Sequence, residues 1–212
     1  MTLASAVELS ESQQRLAIRL LQLGLVCLAV YGLVTGRFGM AANGVTALSV
    51  TCLPALLRRE YGYTMDVRLV LWITVAIVLH VVGSLGLYSH FSWYDEITHT
   101  VSSTVVAGVG YAGFRAFELH SSELEVPSAF RAVFVVVFVL AFGVAWEVFE
   151  FGAVEVARAM GFDSPVTVYG IDDIVTDFVF NGVGAVLVAL WGTRYTDGVV
   201  EFLRRRLDDH RA

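Results

Sequence analysis

The sequence predicts an all-α protein: a polytopic transmembrane helix bundle of about six helices, with both termini cytoplasmic. Three observations predict it. Of 212 residues, 57% are apolar and only 16% charged, with a mean hydropathy of +0.70; a soluble domain of this size needs a more polar surface. The apolar residues arrive in repeated runs of about 20, the length that spans a hydrocarbon layer at ~1.5 Å rise per residue. The basic residues, all arginine, gather between alternate runs, as they do on the cytoplasmic side of multi-pass proteins.

The first run, residues 16–34, follows a segment carrying Glu8 and Glu11 with no basic residue before Arg15. A secretory signal needs a basic start, a short apolar stretch and a small-residue cleavage site, so this run reads as a retained span. Gly36 ends it, and a very short connector leads to the second span, residues 38–57, in a tight hairpin. The Arg58-Arg59-Glu60 turn precedes the third, residues 67–88. Residues 89–93 lead into the fourth, 97–117, with Phe91, Trp93 and Tyr94 placed as interface anchors. Pro127 closes the connector before the fifth, 130–151, and residues 161–165 lead to the sixth, 171–191. The chain thus divides into an N-terminal cytoplasmic segment (1–15), a membrane domain (16–191) and an arginine-rich cytoplasmic tail (192–212). Residues 199–211 read either as a surface helix whose Arg204–Arg206 run meets anionic lipid heads or as a solvated tail that fixes topology.

Twelve of the 14 arginines fall on the side of the termini, against Arg37 and Arg158 on the other. The expected location is the cell (cytoplasmic) membrane, multi-pass. Cys27 and Cys52 lie inside spans and read as small packing residues, without a disulfide framework. The net charge of −6 leaves no basic footprint for nucleic acid.

Ionisable residues inside spans cost ~2.5–3.5 kcal/mol each on insertion scales, so their presence calls for a use. Asp95 and His99 are four apart at the start of the fourth span. Glu147 and Glu150 are three apart at the end of the fifth, and Asp173 and Asp177 four apart at the start of the sixth, with Asn181 four further on. Such spacings put each pair on one helical face, and the alternation of helix direction brings all three pairs to one level. His80 and Asn181 sit deeper, roughly 12–15 Å from that end at helical rise. Facing carboxylates at one depth require a bound cation or shared protons. Oxygen ligands with one or two histidines suit Zn²⁺, Mn²⁺, Fe²⁺ or Mg²⁺. The metal candidates are Asp95, His99, Glu147, Asp177 and His80; Glu150 and Asp173 are candidate general bases, and Asn181 is a supporting residue. Singly, these residues read as helix caps or hydrated side chains; as a set they read as a site.

The segments Trp93 to His99, Trp146-Glu147-Val148-Phe149-Glu150, and Asp173 to Asn181 followed by Gly182 and Gly184 resemble, in order, the YjdF-like family of small prokaryotic inner-membrane proteins. The likeness covers roughly the third to sixth helices. Where that family's pattern often has Thr after the first Asp of the last motif, this chain has Ile174. The resemblance implies a multispanning fold and no established activity.

From the residues, the expected function is a metal-dependent membrane hydrolase acting on a lipid or lipid-linked group near the extracytoplasmic headgroup level. The alternative is a cation- or proton-coupled transporter or cation-binding membrane protein, with His80 and Asn181 lining a path inward. A structural role, with the acids only fixing helix packing, is the third reading. Membrane lipids are the expected partners.

Overall fold

The computed structural model describes residues 9–121, 123–166, 170–191 and 196–209. These form seven helices: α1 (Glu11–Thr35), α2 (Phe38–Tyr61), α3 (Val67–His90), α4 (Ser92–His120), α5 (Ser128–Met160), α6 (Ile171–Trp191) and α7 (Asp197–Asp209). The expectations for residues 1–8, Arg194 and Arg211 lie outside the described residues.

Helices α1, α2, α3, α5 and α6 are each long and apolar enough to cross a membrane. The fourth expected span, α4, has 29 residues, about 43 Å at helical rise, but is not among those five. Its Asp95, Glu96, His99, Arg115 and Glu118 and its Ser and Thr residues reduce its apolar character. Most spans also extend beyond their apolar runs. α1 starts at Glu11 because Ser10 and Gln13 form a capping box, which satisfies orphan backbone donors reciprocally.

Side-chain size is distributed as lipid solvent requires. Leu20, Leu23 and Val30 of α1 and Val137, Val144, Val148 and Phe151 of α5 face outward, whereas Ala107, Ala112, Ala116 and Ala185 are buried. Lipid tails are as apolar as leucine, so large side chains gain little by facing inward, and small ones let backbones approach. Cys27 and Cys52 also lie on the outer surface, not in the packing positions expected of them. The chain is a helical membrane bundle.

Two groups of three helices make it up. α1 packs on α2 and α3, and α2 on α3; α4 packs on α5 and α6, and α5 on α6; the α3–α4 contact joins the groups. Leu25, Ala47 and Val81 form the core of the first group, and Ala107, Val135, Val139, Ala185 and Val188 that of the second.

α3 is not the straight helix its hydropathy predicts. It turns π-helical over Gly83–Leu87, with Gly86 at φ 129, a conformation that side chains strongly disfavour. The Asn43 amide of α2 donates to Ser84 Oγ in this segment at 2.7 Å. At the opposite end of the bundle, α7 docks on α4 through Val200 against Ala112 and Ala116. His120 Nδ1 lies 2.6 Å from Asp208 Oδ1, and Phe202 stacks on Tyr63. The arginine run is engaged within the protein: Arg204 pairs with Glu201 and Asp208, Arg205 with Glu201, and Arg206 lies over Tyr61.

Candidate metal centre

The site depends on how closely α4 approaches α6. A Cβ at Gly184 would collide with Ser103 Oγ and the Thr100 carbonyl oxygen, so the crossing tolerates only glycine without a shift. The two helices run in the same direction. One turn before Ser103 comes His99, two turns before it Asp95, and two turns before Gly184 comes Asp177. The close crossing thus sets the α4 pair opposite the α6 carboxylate.

His99 Nε2 lies 3.4 Å from Asp95 Oδ1 and 3.4 Å from Asp177 Oδ1. His99 and Asp177 are buried, at 8% and 5% exposure. One ligand atom from each of the three residues falls within 4.8 Å of the others. A charge-assisted N–H···O bond would be about 2.7–2.9 Å, and a single N–H cannot point at two acceptors well. Ligands held about 2.1 Å from a tetrahedral cation, by contrast, stand roughly 3.4 Å apart. Two of the three spacings fit ligands around a common centre, and the third, between the carboxylates, is within 4.8 Å.

The remaining acids surround this trio. Glu147 is within electrostatic range of His99, Asp173 and Asp95, Glu150 of Glu147, His99 and Asp177, and Asp173 of Asp177. All three same-face pairs meet at one end of the bundle. Glu147 and Glu150 are half-buried, as is Asp173. Arg158, near the end of α5, pairs with Glu155 at 2.6 Å. The described ion pairs of Asp95 and Asp177 are both with His99.

His80 borders the trio instead of joining it. Its Nδ1 lies 2.9 Å from the Tyr88 hydroxyl, and its ring meets that of His99 edge to face, with centroids 5.4 Å apart. Trp146 covers the other side, its ring centroid 5.8 Å from that of His80. Asn181 is buried one turn below Asp177, in space that Gly143 leaves open: a Cβ there would press on Phe178 and Asn181 Nδ2.

The sequence reading missed Tyr88 and Trp146. Tyr88 reaches back to His80 because the π-helical turn and the bare Gly83 make room for its ring, which a Cβ at Gly83 would strike. The signal was the Gly83-Ser84-Leu85-Gly86 run, since π segments recur at functional sites. The Trp146 indole N–H is buried without a hydrogen bond of normal geometry, yet it lies within reach of Glu150.

A family model described as Predicted membrane protein (DUF2238) matches residues 16–198, from the second turn of α1 to the start of α7. No curated protein and no solved structure matches the chain.

Proposed function

The chain belongs to that family of predicted membrane proteins and is a multi-pass protein of the cell membrane; from this premise we propose that it is a metal-dependent membrane hydrolase acting on a lipid or lipid-linked group. The ordered likeness of its motifs to the YjdF-like family fits that membership. One observation carries the metal reading: two carboxylate oxygens stand at ligand spacing, 3.4 Å, from the same buried imidazole nitrogen. Asp95, His99 and Asp177 hold a divalent cation (Zn²⁺, Mn²⁺, Fe²⁺ or Mg²⁺), with Glu147 completing or balancing the set. When bound, the cation supplies Lewis acidity that activates water and polarises the scissile bond.

The protein's own groups do the rest. Glu150 or Asp173 accepts the proton of the attacking water, both being within range of the trio without belonging to it. Tyr88 fixes the His80 ring, and His80 and Trp146 wall the site beside His99. The orientation inferred from the arginines puts this end outside, at headgroup level, where a lipid-linked ester presents its polar bond.

The transport reading is weaker. On the far side of Asn181, the same three helices close around an apolar core of Ala107, Val135, Val139, Ala185 and Val188. Metal analysis of purified protein tests the proposal. One tightly bound divalent ion per chain, lost in Asp177→Asn, is the expected result; native protein with no metal above background would sink the metal reading. Release of product from lipid-linked esters by the loaded native protein, and not by Glu150→Gln with Asp173→Asn, separates catalysis from cation storage.

A further inference from the structure

The opposite end of the bundle carries a second site that owes nothing to the acids. Helices α1, α2 and the start of α3 line an open cavity of about 210 Å³. Arg15 and Arg19 enter it from α1, and Arg58 from α2. Its inner wall is polar as well: the Gln22 amide of α1 donates to the Thr51 carbonyl and hydroxyl oxygens of α2 at 3.2 and 3.4 Å. On α1 the lining residues Arg15, Arg19 and Gln22, and on α2 Thr51 and Arg58, recur at helical spacing, so two faces converge on one space.

The charge in this cavity is poorly compensated. Arg15 has one distant partner, Glu11 at 3.4 Å. Among the described residues, no ion pair or hydrogen bond engages the guanidinium of Arg19 or Arg58. All three arginines are exposed, so water can solvate each alone, but their convergence on one groove makes a basic patch suited to an anion. Topology alone requires only that arginines stand at this end; it does not require them to share a cavity.

We propose that this cavity binds the phosphate headgroup of an anionic glycerophospholipid from the leaflet at the arginine-rich end. Basic pockets between transmembrane helices are a recurrent form of headgroup recognition, and arginine's planar fork suits phosphate. A lipid is favoured over free phosphate because apolar side chains make up much of the rest of the lining. Ile18, Val67 and Val70 line it, and Met65 is shared with a neighbouring, largely apolar cleft of about 650 Å³. Chain and headgroup of one lipid thus find matching surfaces side by side. Such a lipid would tie α1, α2 and α3 together at the end away from the metal centre, and the proposal stands whether or not that centre is catalytic.

Native mass spectrometry of delipidated protein in detergent tests it, with dioleoyl-phosphatidylglycerol, dioleoyl-phosphatidylcholine and inorganic phosphate as probes. Phosphatidylglycerol should be retained in preference to phosphatidylcholine. Arg19→Gln and Arg58→Gln should each weaken that retention roughly five-fold, the change equivalent to ~1 kcal/mol per basic residue at a membrane surface. Arg59→Gln, which removes an arginine paired with Glu60 outside the cavity, should leave it unchanged. Equal retention of the two lipids, or equal loss in all three variants, would overturn the proposal. A second readout needs no variant: phosphatidylglycerol should raise the unfolding temperature of the native protein above that in phosphatidylcholine. Inorganic phosphate giving the same rise would assign the cavity to a free anion instead.

Discussion

The Tyr88 hydroxyl meets His80 Nδ1 at 2.9 Å, and the absence of a side chain at Gly83 lets the tyrosine ring reach it. Eight residues of regular helix would put the two more than two turns apart, roughly 12 Å along the axis. The Tyr88 side chain spans most of that distance by leaning back toward the helix N-terminus over the bare Gly83, just after the π-helical turn at Gly83–Leu87. The break in α3 and the wall of the candidate metal centre are therefore one feature.

A Cβ at Gly83 should push the Tyr88 ring away. Gly83→Ala is expected to cost about 1–3 kcal/mol, the usual range for overpacking. Tyr88→Phe keeps the ring and loses only the hydrogen bond, about 0.5–1.5 kcal/mol. Unfolding of both variants in the same detergent checks the order. If Gly83→Ala unfolded no earlier than Tyr88→Phe, the ring's approach to Gly83 would not be the constraint.

The α4–α6 crossing makes a second, sharper prediction. Gly184→Ala should separate the helices, because its Cβ meets Ser103 Oγ and the Thr100 carbonyl, and metal affinity should fall with stability. Ser103→Gly removes one of those obstacles. The double variant should recover part of both losses, but not all, since the Thr100 carbonyl remains. A double-mutant cycle measures the coupling; strict additivity would refute contact between the two positions.

How much of this was legible beforehand follows from which forces are local. Five of the six spans could be read because a run of apolar residues needs no partner to declare itself; α4 is not among the helices apolar enough to cross. The three acidic pairs could be placed at one level because helical period and direction suffice. Which of them come together could not be read. Asp95, His99 and Asp177 meet because Gly184 passes Ser103, and no periodicity announces which small residue lies at a crossing. His80 sits beside the trio with its Nδ1 taken by Tyr88, which depends on a break in α3 that a hydropathy pattern averages away. At the other end the arginines were read for topology only; their convergence on one cavity depends on how α1 and α2 rotate against each other.

Removing a ligand should weaken metal binding more than removing a neighbour. Changing a group that only supports the ligands typically costs 10–100-fold in metal affinity, so Glu150→Gln should fall about there. Asp177→Asn should lose more, because it replaces an anionic carboxylate among the three candidate ligands with a neutral amide. Metal should also raise the unfolding temperature of the native protein in a concentration-dependent way, and chelation should reverse the rise. Equal affinities for Glu150→Gln and Asp177→Asn would argue against the assigned trio.

Glu118 is the buried anion at the arginine-rich end. Arg115 meets it at 2.8 Å and Arg131 at 3.0 Å, and its side chain is 7% exposed. Glu118→Gln should leave two cations without their anion, yet both are a quarter to a third exposed and can turn to water. The expected loss is therefore about 1.5–3 kcal/mol, that of charged hydrogen bonds, and not the larger penalty of a sealed charge. Adding Arg131→Gln to Glu118→Gln should cost little more, since the two act as one unit.

The helical order of α7, on which its docking depends, should carry a pH dependence of definite sign, because Glu201 pairs with Arg204 and Arg205 of the same helix. Hydrogen bonds from Arg204, and then Arg205, hold the Glu201 carboxyl down at about 2, from an ordinary value of 4.5. A carboxylate whose folded value is depressed stabilises the fold fully above its unfolded value, and that contribution fades as pH falls through the folded one. The native protein should therefore hold α7 more firmly than Glu201→Gln at neutral pH, by an amount constant down to about 4.5 that shrinks toward zero near 2. Glu201 is at the surface, so added salt should also shrink the difference. Cysteine accessibility of a Val200→Cys variant, made with Cys27 and Cys52 replaced, reports α7 leaving α4, because Val200 is buried against Ala112 and Ala116. A difference between the two backgrounds that grew as the pH fell would mean that Glu201 is not what the arginines of α7 hold.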